Sequence, residues 1–246
     1  MEVKTPLNYL TLALFEMAGT AILTLAYCFG YRRPGSPFNI YQSDIVAAGL
    51  FTAILMTKRI TGSHLNAGIT LAVAIIEKAN EDVHKLKIAG AYVLGQLLGA
   101  FLGMAIALGI LGNAGLMDIS PFDRDTNIFF IFLTEVIFSW IFLTIYMYAK
   151  NDWVTPTMDF GLRAFTMMGV QYLCSSLSLK MTGGTVNPSI GTVAIIFRLM
   201  KPAPRYHTDS NAKYLFPYLL APLVAAVLAG LYIKYFAIRV TPPQPE

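Results

Sequence analysis

Six long apolar stretches divide this chain, at about 6–30, 44–57, 88–112, 127–149, 160–179 and 214–233. The first and fourth each enclose one charge, Glu16 and Glu135, and the fifth has Arg163 near its start. The second is short and closes on Lys58 and Arg59, whereas the third and sixth are uncharged. Crossing the hydrocarbon core takes about 20 apolar residues, so this pattern predicts six membrane-spanning helices. Two further apolar pieces, 65–76 and 186–197, have 12 residues each. As helices at about 1.5 Å per residue they reach about 18 Å, little more than half the core. Turn formers precede both: Thr61-Gly62-Ser63 and Thr182-Gly183-Gly184. Such a loop and half-length helix either re-enters the membrane or lies on its surface. Irregular backbone at membrane depth survives only against a watery cavity or inside protein.

Comparing the halves favours re-entry. Thr61-Gly62-Ser63-His64-Leu65-Asn66 returns as Thr182-Gly183-Gly184-Thr185-Val186-Asn187, an offset of 121 residues. Glu16 and Glu135 stand 119 apart, and the run beginning at Tyr92 matches that beginning at Tyr218 at an offset of 126. Three matches at nearly one offset predict a duplication, with one copy at about 6–112 and the other at about 127–236. Three crossings per copy invert the second relative to the first, giving a pseudo-two-fold axis in the membrane plane. The whole chain, 1–246, reads as one all-α transmembrane domain. The third and sixth spans also share small residues at a spacing of four: Ala91, Gly95, Gly99, Gly103 and Ala107, then Ala221, Ala225 and Ala229. This spacing lets helix backbones approach closely in lipid.

Composition agrees and narrows the class. Of 246 residues 56% are hydrophobic and 13% charged, about half the charge of a soluble domain. That excludes a soluble enzyme, a disordered segment and a nucleic-acid partner; membrane lipids are the expected surroundings. The net charge of +4 is carried by residues flanking the spans. Cys28 and Cys174 lie in apolar runs without metal or redox spacing and read as packing residues. The N-terminal residues lack the basic region and cleavage site of a secretory signal, so the first span is expected to be retained. No catalytic motif, metal cluster or cofactor fingerprint is present, so the expectation is a protein that is not an enzyme and uses no cofactor.

Under an inverted repeat, Asn66 and Asn187 fall at the N-termini of half-helices that meet near the bilayer midplane. Helix N-termini carry unpaired N–H groups and about half a positive charge. Two of them aimed at one spot repel cations and orient a polar neutral molecule. The asparagine amide can donate to a passing oxygen while its carbonyl ties back to the loop. Alternatively each asparagine only caps its helix; the symmetric pair favours the pore.

At these residues the sequence resembles the major intrinsic protein family, the aquaporins and glycerol facilitators. The likeness runs from Glu16-Met17-Ala18-Gly19-Thr20 to the sixth span. Its specific pieces are Gly62 to Asn66 with Thr70, Gln96 with Gly99-Ala100, Glu135, and Thr182-Gly183 with Asn187-Pro188. The resemblance implies a right-handed bundle of six transmembrane helices with two re-entrant half-helices, assembled as a homotetramer with one pore per subunit. It implies that Glu16 and Glu135 accept hydrogen bonds from the loops that carry the asparagines. His64 matches the family's loop histidine, for which anchoring the loop and sensing pH are the two readings.

The departures from the family pattern bear on function. The first Asn-Pro-Ala box reads Asn66-Ala67-Gly68 here and the second Asn187-Pro188-Ser189. Proline suits the first helical position, so Ala67 costs preorganisation without forbidding the half-helix. Ile190 stands where the family has a constriction arginine, and an ungapped register puts the other constriction members at Val46, Ser175 and Gly184. Such a constriction has no charge and few donors. It is either wider and less selective, or apolar enough to dewet and close. Gly191 stands where glycerol-conducting members have aspartate, so glycerol specificity has no positive support.

The resulting expectation is a divergent channel for passive movement of water or small neutral solutes. The alternative is a non-conducting subunit with this fold and a structural role in a larger membrane complex. A weaker third reading is an ion or metalloid conduit opened by loss of the arginine. Basic residues favour a cytoplasmic location for the termini by only ten to eight, which does not identify the membrane, plasma or organellar, the mitochondrial inner membrane included. Lys58 and Arg59 read as snorkelling to headgroups, and the basic segment 198–213 as a solvated loop, with docking of another subunit as its other reading.

Overall fold

The computed structural model describes residues 8–30, 42–117, 119, 126–200 and 212–240. Six long helices and two short ones follow in order: α1 (Tyr9–Gly30), α2 (Gln42–Thr61), α3 (Ala67–Ile76), α4 (Val83–Leu111), α5 (Ile128–Lys150), α6 (Phe160–Thr182), α7 (Pro188–Met200) and α8 (Leu215–Tyr232). The last continues through a π-helical turn, Ile233–Ala237, to Val240. The chain is all-helical in its described residues, as the apolar pattern predicts.

Helix ends differ from the sequence expectation where polar residues join a span. The second span is 20 residues long rather than the 14 of its apolar run, because Gln42, Ser43, Lys58, Arg59, Ile60 and Thr61 also lie within the helix. α4 begins five residues before its apolar run because Asp82 caps it, accepting from the His84 N–H at 2.8 Å. Among the described residues four helical stretches are long and apolar enough to cross a membrane unaided: α1, α4, α5 and Ala212–Val240. α2 and α6 are not among them, and they pack against each other between the two copies. Helices that face protein there keep polar side chains that lipid would exclude.

Packing follows the duplication. α1 lies mainly on α4 and α2, and α5 correspondingly on α8 and α6. Each half-helix crosses to the other copy's last long helix, α3 onto α8 and α7 onto α4. The small-residue ladder explains the α1–α4 contact. A Cβ on Gly95 or Gly99 would lie 2.3 Å from the carbonyl oxygen of Ala13 or Met17, so the two backbones touch where only glycine fits. Ala221, Ala225 and Ala229 are fully buried in the second copy. Exposed Leu, Phe and Ile side chains on α1, α4, α5 and α8 form the outer surface, and lipid is the solvent that tolerates them.

One basic residue departs from expectation. Arg198, read as the start of a solvated loop, is buried at the end of α7, where its guanidinium donates to the carbonyls of Leu116 and Met117. A guanidinium can supply five donors, and here it closes the backbone that follows α4. Most of that basic segment, 201–211, lies outside the described residues, as do Lys4, Arg32, Arg33, Arg124 and most of the N-terminal residues read for a signal.

Candidate functional site

The two re-entrant loops turn through backbone that most residues avoid. Gly62 (φ +74°), Ser63 (φ +54°) and Leu65 (φ +54°) form the first, and Gly183 (φ +85°), Gly184 (φ +65°) and Val186 (φ +42°) the second. Left-handed conformations cost a non-glycine residue about 1–2 kcal/mol. Leu65 and the β-branched Val186 therefore stay there only because their surroundings hold them.

The asparagines do much of that holding. The Asn66 carbonyl oxygen accepts from the Gly68 N–H at 2.7 Å, and that of Asn187 from Ser189 at 3.1 Å and Ile190 at 3.4 Å. Each side chain thus caps its half-helix, α3 starting at Ala67 without proline and α7 starting at Pro188. The amide nitrogens cross between the copies. Asn66 Nδ2 donates to the Val186 carbonyl at 3.0 Å, and Asn187 Nδ2 to the Leu65 carbonyl at 2.9 Å. Capping and cross-linking coexist, and each amide retains a second N–H. Ala67, Gly68, Pro188 and Ser189 form the first turns around this junction, and Ser189 is 1% exposed.

Behind the first loop, Glu16 Oε1 accepts from the Thr61 hydroxyl at 2.5 Å and the His64 N–H at 3.0 Å. Its Oε2 accepts from the Leu65 N–H at 2.6 Å and from Gln96 Nε2 at 2.8 Å. Glu135 repeats the pattern more sparsely, accepting from the Thr182 hydroxyl at 2.5 Å. Pro222 occupies the position equivalent to Gln96, so the second carboxylate lacks that side-chain donor. His64 pairs through Nδ1 with the Thr70 hydroxyl at 3.1 Å and meets the Tyr92 ring edge-on, with centroids 4.7 Å apart. Those contacts fix it in the loop.

Four tyrosines also reach loop carbonyls, and sequence reasoning gave them no role. Tyr92 donates to Thr61 at 2.8 Å and Tyr218 to Thr182 at 2.5 Å. Tyr146 donates to Ser63 at 2.6 Å and Tyr27 to Thr185 at 2.9 Å. A signal existed, since Tyr27 and Tyr146 stand 119 residues apart like the glutamates. Lys150 was missed too; it donates to the Gly62 carbonyl at 2.7 Å.

Of the four residues assigned to a constriction, the structure joins two. The Ser175 hydroxyl donates to the Gly184 carbonyl at 3.2 Å. Val46 and Ile190 belong to one apolar core cluster. Exposure decides their state: Val46 and Ile190 are 0% exposed and Ser175 3%, with Asn66 at 3% and Asn187 at 2%. Val46 and Ile190 are therefore packed away from water in this conformation. The first loop is different. A cavity of about 210 Å³ reaches it, lined in part by Thr61, His64, Thr70, Tyr92, Glu77 and Lys150.

Comparison with known proteins fits this geometry. The family model described as major intrinsic protein matches residues 8–233. The aquaglyceroporin of Plasmodium berghei is 26% identical over 198 residues, covering 77% of this chain and 74% of the relative. The glycerol uptake facilitator protein-like 6 of Lactiplantibacillus plantarum is 25% identical over 206 residues, covering 78% and 85%. Among solved structures, the aquaglyceroporin from Plasmodium falciparum superposes with a TM-score of 0.76 at 20% identity, over 93% of this chain and 97% of that one. A family match over nearly the whole chain, on a fold with paired half-helices, is decisive: this chain belongs to the major intrinsic protein family, whose members are multi-pass membrane channels for water or small solutes and not enzymes.

Proposed function

We propose that the protein is a divergent channel for passive movement of water or a small neutral solute. The observation that carries this reading is the reciprocal pair of amide bonds, Asn66 to Val186 and Asn187 to Leu65, at 3.0 and 2.9 Å. It draws two helix N-termini to one point between the copies. Their positive ends oppose a cation, and the remaining amide N–H groups suit a neutral oxygen acceptor. Val46, Ser175, Gly184 and Ile190 set access on the second-loop side. Ile190 offers no charge there, so selection rests on size and on loop carbonyls rather than on a guanidinium.

A second reading, the non-conducting subunit of a larger membrane assembly, is favoured by one observation: Val46 and Ile190, two of the four constriction candidates, are 0% exposed. Stopped-flow osmotic shrinkage of proteoliposomes holding the purified chain separates the two. The channel reading expects water or small-solute flux above that of empty vesicles, from a chain that purifies as a free homo-oligomer. Flux at the empty-vesicle rate, with copurification of foreign subunits, would establish the structural role instead.

A further inference from the structure

Tyr27 on α1 and Tyr146 on α5 are related by the repeat, and each reaches across to the other copy's loop. The Tyr27 hydroxyl donates to the Thr185 carbonyl at 2.9 Å and lies 3.4 Å from that of Gly184. The Tyr146 hydroxyl donates to the Ser63 carbonyl at 2.6 Å, and Ser63 is the sequence equivalent of Gly184. Both rings are buried, at 1% and 0% exposure, and they are among the largest side chains so enclosed.

A route formed by an inverted repeat runs along the interface between the copies, and each of these rings reaches across that interface to the other copy's re-entrant loop. Re-entrant backbone carbonyls are unpaired within their own segment, so a passing water or hydroxylated solute is a natural partner for them. Here tyrosine hydroxyls hold that place. On the second-loop side the seal is doubled: Gln171 Nε2 donates to the Tyr27 hydroxyl at 3.0 Å and to Ser175 Oγ at 2.6 Å, while Ser175 holds Gly184. Val46 and Ile190, each 0% exposed, add no polar group there.

We propose that Tyr27 and Tyr146 are a symmetry-related pair of gates, one on each re-entrant loop. Their hydroxyls occupy the carbonyl oxygens that the permeant molecule takes when the ring rotates away. Gln171 is a positioning residue that keeps the Tyr27 gate shut. This inference rests on the channel reading, and the glutamate and asparagine contacts leave it unconstrained.

The test compares osmotic permeability of proteoliposomes at equal protein density. Tyr27→Phe and Tyr146→Phe keep the ring but release the carbonyls to water. Each is expected to raise permeability roughly fivefold, the scale of one net hydrogen bond. The double variant Tyr27→Ala with Tyr146→Ala, which also removes both rings, is expected to be faster still. Tyr148→Phe, which removes only a hydroxyl contact with Tyr232 on the α5–α8 seam, is expected to match the wild type. Gel filtration and helical circular dichroism establish folding; the phenylalanine variants preserve packing if the alanine pair does not. Folded variants no faster than a rapidly conducting wild type would overturn the gates and leave the channel standing. Wild type and folded variants all at the empty-vesicle rate would overturn both.

Discussion

Glu16 and Glu135 show how one residue type can be used unequally by two copies of a fold. Glu16 receives four donors, two of them backbone N–H groups of the first loop. Replacing it with leucine orphans buried donors at about 1–3 kcal/mol each, so Glu16→Leu should lower the thermal midpoint strongly. Glu135→Leu, which forfeits the Thr182 hydroxyl and no glutamine, should lower it less. Equal losses in the two variants would contradict the asymmetry. At the asparagines, Asn66→Asp keeps the cap acceptor but turns a carboxylate oxygen toward the Val186 carbonyl. That exchange should destabilise by about 1–3 kcal/mol, and so should Asn187→Asp at Leu65. The two amides lock one junction, so the double variant should depart from additivity; strict additivity in denaturation midpoints would argue that the cross-links act independently. The asparagines and glutamates were legible in the sequence because each recurs at nearly one offset. Tyr27 and Tyr146 recur too, but tyrosine within an apolar helix reads as packing until its hydroxyl is seen on a carbonyl.

Among the elements, the half-helices were legible from their length together with the repeat, and the long-helix ends were not. An apolar run marks where lipid or core must be, whereas a helix continues as far as its caps and neighbours allow. α2 extends past its apolar run at both ends, and α4, capped by Asp82, starts at Val83, five residues before its own run. The packing of the four constriction candidates was likewise outside the reach of a register, which names positions without saying whether side chains meet. The α1–α4 seam gives a prediction with an internal control. Gly95→Ala pushes a Cβ to 2.3 Å from a backbone oxygen, whereas Gly90 and Gly109 on the same helix have nothing within 4 Å. Gly95→Ala should destabilise by about 1–3 kcal/mol through overpacking. Gly90→Ala should be neutral or stabilising by up to about 1 kcal/mol, since glycine disfavours helix interiors. Thermal unfolding in detergent checks both, and matching midpoints would show that the helices are further apart than described.

At the scale of the molecule, each copy of the repeat holds part of itself and part of the other. Glu16 and Glu135 tie loops within a copy, while the asparagines and the Tyr27 and Tyr146 pair tie loops between copies. Neither half completes the candidate route alone. Among the described residues a cavity reaches the first loop, while Val46 and Ile190 beside the second are 0% exposed. Adding Arg at the missing constriction position tests the register: Ile190→Arg forces a cation into a site that is 0% exposed, and it should lower both stability and flux. A variant that melts and conducts like the wild type would place Ile190 away from the route. The central claim, that this chain conducts, is tested most directly by water flux through proteoliposomes of the purified wild-type protein, measured across a range of temperatures. The account predicts permeability above empty vesicles with a weaker temperature dependence than bare lipid; permeability and temperature dependence indistinguishable from bare lipid would contradict it.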